Sequence, residues 1–202
     1  MTGADYGPSV FTRNAALRPV PDYAVVTERA VETVEQHLEA AEDELQDFLD
    51  QGYRELENRQ GHLADWLATQ VSEGQDELAQ SLGYFLVVTV YLAFREEFPR
   101  RLQEVGERDL ALALATLEMD EALRAADPVE ILDSDDVVAM GQPVIVEFIQ
   151  HHMHEALEQA GAQADMKTLE QIYRAVLVEV IALSHGVVSP SGHHGPARES
   201  LA

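Results

Sequence analysis

The residues best equipped for chemistry crowd into one stretch, VIVEFIQHHMHEALEQ, running from Val144 to Gln159. It carries Glu147, His151, His152, His154, Glu155 and Glu158. Imidazole and carboxylate together are ligands for zinc, iron and manganese. On a helix, Glu147, His151, His154 and Glu158 follow at three- and four-residue steps and share one stripe. Ile145, Ile149, Met153, Ala156 and Leu157 take the opposite side, and His152 borders them as a packed histidine.

A second glutamate belongs with this group. The hexapeptide VIVEFI, Val144–Ile149, is echoed by VLVEVI, Val176–Ile181, each with one glutamate inside an apolar run. Glu179 falls among Leu169, Ile172, Val176 and Leu183, while Lys167, Glu170 and Arg174 occupy the other face. If the two helices fold back on each other around residues 161–165, Glu147 and Glu179 lie sixteen residues either side of Gln163 and reach the same height. Buried carboxylates must take up a proton, pair with donors or cations, or bind metal.

Two arrangements satisfy that demand. In one, Glu179 meets a tyrosine (Tyr84 or Tyr91) or an arginine, and the histidine stripe faces water. In the alternative, Glu147, His151, His154 and Glu179 hold a divalent metal, as in carboxylate-bridged helical bundles. Such bundles use a Glu-x-x-His step. Here Glu147 to His151 is one residue too long, and leucine stands one turn after Glu179. The solvated stripe is therefore the expectation, with no cofactor.

These residues need helices to position them, and the pattern supplies them. The chain has 202 residues, no cysteine and 46% apolar residues, which suits one helical domain without disulfides or thiolate sites. Val31, Val34, Leu38, Leu45 and Phe48 recur at helical spacing, a narrow seam for packing on the fold or on a second copy. Gly52 is expected to interrupt it, leaving one kinked helix or two over residues 28–73. LGYFLVVTVYLAF, Leu82–Phe94, is apolar all round and predicts the central helix, ended by Pro99. A further helix is expected over Arg101–Ala126, then a short one capped by Asp133 or Ser134. The next begins at Pro143 and stops at Gly161, and the last runs from Asp165 to His185. The fold expected is all-α: one bundle of about five to seven helices closed by an antiparallel C-terminal hairpin. Residues 1–21 read as a flexible lead, 22–186 as the helical domain and 187–202 as a disordered tail.

Charge narrows the function classes. The formal net is −24, with one lysine against twelve arginines. Such a surface disfavours nucleic acid and anionic membranes and attracts basic partners. The N-terminus lacks a basic-then-apolar signal, so a cytoplasmic location is expected. There is no Gly-rich phosphate loop and no nucleophile elbow. Glu118, Asp120 and Glu121 read as a solvated helix edge, and His193 and His194 as a solvated tail. The leading expectation is a non-enzymatic acidic helical protein that binds a protein partner or itself. Alternatives are the metal site above and a small-molecule pocket lined by Tyr84, Phe85 and Tyr91.

Overall fold

A computed structural model describes residues 20–72, 76–126, 135–160 and 165–190. The helices are α1 (Glu28–Ala41), α2 (Leu45–Arg59), α3 (Gly61–Ser72), α4 (Glu77–Glu97), α5 (Glu107–Ala126), α6 (Asp135–Gly141), α7 (Pro143–Ala160) and α8 (Met166–Gly186). A 3-10 turn, Glu42–Glu44, separates α1 from α2. The architecture is the all-α bundle expected. The caps proposed at Asp133 or Ser134, the stop at Gly161 and the histidines of the tail lie outside the described residues.

Two helices form the centre. α4 buries a continuous run from Leu86 to Phe94, and α8 buries Leu169, Ile172 and a continuous run from Ala175 to Ser184. Asp76 and Asp165 start them, each side chain accepting two backbone amides of the first turn. The two lie side by side in the same direction. A Cβ built at Gly83 would sit 3.3 Å from Ile172 Cδ1, and past the other end the Gln103 amide donates to Gly186 O at 2.9 Å. α1, α2, α3 and α7 pack on α4, while α3, α5, α6 and α7 pack on α8. Enclosure by its neighbours explains why α4 is apolar on every side.

The chain breaks elsewhere than at Gly52. Glu42, with φ 39, turns the backbone after α1, while Gly52 lies buried within α2. A Cβ on Gly52 would meet Val88 Cγ1 at 2.7 Å, so this glycine is where α2 comes closest to α4. The break also splits the apolar seam. Val31 and Val34 are core residues, Leu38 and Phe48 pack partly against that core, and Leu45 is exposed. The seam thus serves the fold itself and is not a continuous docking face.

Two buried glutamines hold the ends. Gln142 accepts from Val26 N at 2.9 Å and donates to Ala24 O at 2.5 Å and Ser184 Oγ at 2.9 Å. It pins the extended segment before α1 onto α8. Gln60 accepts from Val105 N at 2.7 Å and donates to Gln103 O at 2.9 Å. That anchorage, with the Leu102–Val187 bridge, holds residues 101–105 out of helix, so α5 starts at Glu107 and not near Arg101. The same bridge orders the start of the expected tail: Val187 is fully buried. At the other end of the chain, Val20 is buried and packs against Gly141.

Candidate functional site

The glutamate–histidine stretch folds as α7, beginning at Pro143, whose missing amide costs nothing at a first helical position. Gln142 meets Ser184 across the α7–α8 pair, five residues before Glu147 and five after Glu179. The two glutamates therefore do share a height. They do not share an environment. Glu147 is exposed, between buried Val146 and Phe148, whereas Glu179 is fully buried.

The histidines divide in the same way. His151 and His154 face water, their side chains 62% and 72% exposed, beside Glu155 at 3.4 Å and Glu158 at 3.2 Å. His152 turns inward between Phe148 and Phe85, with ring centroids 4.5 and 4.9 Å away. Burial lowers its pKa, partly countered by Glu155. Among the described residues, no group of three or more His, Asp or Glu side chains is placed to hold a metal ion. Glu147, His151, His154 and Glu179 are not brought together as a ligand set: three face solvent and the fourth lies in the core.

Nor does Glu179 find the tyrosine or arginine expected for it. Both its carboxyl oxygens are buried without a hydrogen bond. Tyr84 donates instead to Asp50 Oδ1 at 2.8 Å, which lowers the Asp50 pKa. Arg174 reaches outward to Glu121 at 2.8 Å. Burial alone pushes the Glu179 carboxyl well above its ordinary range, which favours its protonated form. Asp120, expected on a solvated edge, is buried as well.

No protein-family model, curated protein or solved structure matches this chain. Its sites must be read from their own chemistry.

Two further surfaces stand out. The first is a cleft of about 230 Å³ where the end of α2, the C-terminal half of α4 and the following loop meet. Arg59, Gln60, Tyr91, Arg95, Phe98, Pro99 and Leu102 line it. Glu55 bridges both arginines, at 3.2 Å from Arg59 Nε and 2.5 Å from Arg95 NH1. The Tyr91 side chain is fully buried, and its hydroxyl lies near the Glu55 carboxylate without a well-formed hydrogen bond. Its pKa is pushed up to about 12, first by burial and then by the nearby Glu55 carboxylate. Of the pocket residues expected from sequence, Tyr91 alone lines this cleft. Tyr84 is held by Asp50, and Phe85 packs on His152.

The second surface is the outer side of α5. Leu110, Ala113 and Leu117 point inward, and Leu112 and Met119 remain 41% and 57% exposed on the other face, with Ala115 exposed between them. Sequence reading missed both surfaces. The α5 signal was present, since ALALATLEM is apolar on two faces.

Proposed function

We propose that this protein acts by binding another protein, with the outer face of α5 as the docking surface. The observation that carries this reading is the exposed stripe Leu112, Ala115 and Met119 on an otherwise strongly acidic chain. Their three- and four-residue spacing makes one continuous ridge, the form in which helices present apolar anchors to a partner. A ridge of this kind on an acidic protein is the type of exposed apolar patch that marks interaction sites.

Charge selects the partner. Glu104, Glu107 and Glu118 are exposed near or along the ridge, with Arg108 as an exposed counter-charge. Two copies of this chain would bring like-charged rims together at a net −24 each. A helix with an apolar face and basic flanks meets the ridge without that penalty. The metal-centred reading draws no comparable support, because its four residues are dispersed.

The test is titration of the full chain with a synthetic amphipathic helix of leucine face and lysine flanks. Saturable binding that falls at least tenfold in the Leu112→Asp, Met119→Asp double variant, with Tm unchanged, supports the reading. Binding that ignores the double substitution overturns it. Light scattering that finds a dimer broken by the same pair replaces the basic partner with a second copy.

A further inference from the structure

The cleft beside Tyr91 has features that a structural role leaves unexplained. A buried polar group without a partner costs free energy, and native structures keep few of them. Here that group is the hydroxyl of Tyr91, a fully buried residue that lines the cleft, with the Glu55 carboxylate near it but no well-formed hydrogen bond. Beside it stand two guanidinium groups on a protein with only thirteen basic residues in all.

We propose that this cleft binds a small monocarboxylate, its carboxylate taken by Arg95, Arg59 and the Tyr91 hydroxyl and its apolar body lying on Phe98, Pro99 and Leu102.

The donor inventory supports a carboxylate. Each guanidinium offers five N–H groups in a planar fork suited to that geometry, and Glu55 engages only part of each. The tyrosine supplies a donor at all physiological pH values. The Gln60 amide already bonds Gln103 O and Val105 N, so it shapes the floor without being the main recognition group. Gly61, directly after it, has open space where a side chain would stand.

Charge balance sets the valence. Two arginines less one glutamate leave a single positive charge in the cleft. That fits one negative charge, whereas a phosphate dianion would leave the pocket net negative or force Glu55 out. Size limits the body. At about 230 Å³ the cleft falls below the ~300–1,000 Å³ of sites for drug-sized ligands. Its apolar wall favours a short-chain or single-ring acid over a hydrated ion.

Glu55 then acts as an internal competitor for the same arginines. A purely structural ion pair predicts the opposite response to its removal, which makes it the discriminating position.

The experiment is titration of the full chain with benzoate, followed by calorimetry and by amide NMR shifts. Neutral benzamide and inorganic phosphate serve as comparators. Saturable benzoate binding is expected, at least tenfold tighter than either comparator, with shifts centred on residues 91–102. Tyr91→Phe should weaken it about tenfold without lowering Tm, since no well-formed hydrogen bond is lost with the hydroxyl. Arg95→Gln should abolish binding, and Glu55→Gln should strengthen it. No saturable binding at millimolar benzoate overturns the proposal. So does tighter binding of phosphate, equal binding by Tyr91→Phe, or weaker binding by Glu55→Gln. Because Tyr91→Phe breaks no well-formed hydrogen bond, the test survives even if Arg95→Gln fails to fold.

Discussion

VIVEFI in α7 and VLVEVI in α8 are nearly the same word, placed at the same height on adjacent helices, yet their glutamates end in opposite surroundings. Glu147 projects into water and Glu179 is sealed in the core. The hexapeptides alone cannot separate them; the longer pattern does, setting Glu147 in a polar stripe and Glu179 among Leu169, Ile172 and Leu183. The number of neighbours matches it. α8 is wrapped by α3, α4, α5, α6 and α7, so no sector of it remains free from Ala175 to Ser184, around Glu179. α7 leans on α1, α4, α6 and α8 and keeps a clear outer stripe, Glu147, Gln150, His151, His154 and Glu158. Height follows from turn position and helix rise. Rotation toward or away from water follows from how many helices crowd around.

The strongest test exchanges that contrast for a pH slope. Burial makes native Glu179 hold its proton to higher pH than the same group in the unfolded chain, which ionises near the ordinary glutamate range. Its folded pKa is raised, so its contribution is greatest below the unfolded value and is lost as pH rises toward the folded one. Stability should fall by about 1.4 kcal/mol per pH unit over that window. Glu179→Gln should remove the slope and stabilise the protein on the alkaline side of the ordinary glutamate range. Glu147→Gln, at an exposed position, should leave Tm alone. Denaturant unfolding at several pH values checks this, and equal behaviour of the two variants would erase the contrast.

A smaller effect attaches to the residue that sets the shared height. Gln142→Leu deprives the Val26 amide, the Ala24 carbonyl and Ser184 Oγ of a buried partner. Ser184 keeps its bond to Val180 O at 2.6 Å, so the cost falls mainly on the other two. A loss of about 1–3 kcal/mol is expected. Amide exchange should accelerate first at Val26, where the extended segment detaches from α8. Faster exchange spread evenly over the bundle would count against Gln142 as a local pin.

How far the sequence could be read follows the same division between what a segment decides and what its neighbours decide. Pro143 and Asp165 announce the starts of α7 and α8 because their effects are local. The uniform apolarity of Leu82–Phe94 announces a central helix, since only enclosure tolerates it. Gly52 misleads, because a glycine that permits close approach to Val88 looks the same in sequence as one that ends a helix. The true break at Glu42 sits in a run of acids with no glycine or proline. The cleft was hidden for a different reason. Tyr91 could be named only beside Tyr84 and Phe85, nothing local marks Arg59 or Arg95, and only the meeting of α2 with α4 makes the three neighbours. Asp120 was misjudged for want of knowing that α5 turns that side inward.

The histidines of α7 allow a finer test of the same rule. Burial lowers the pKa of His152, so its native form stays neutral where the unfolded imidazole takes up a proton. Its contribution is present above the ordinary imidazole range and is lost as pH falls through the lowered value, opposite in sign to that of Glu179. His152→Phe should flatten that acid-side slope. His151 and His154 have only exposed glutamate neighbours, and ion pairs between exposed groups contribute little. Replacing both with alanine should change stability by less than about 0.5 kcal/mol at any pH. A larger loss from this pair than from His152→Phe would mean that the outer stripe carries tertiary contacts, and the division between a wet α7 and an enclosed α8 would have to be redrawn.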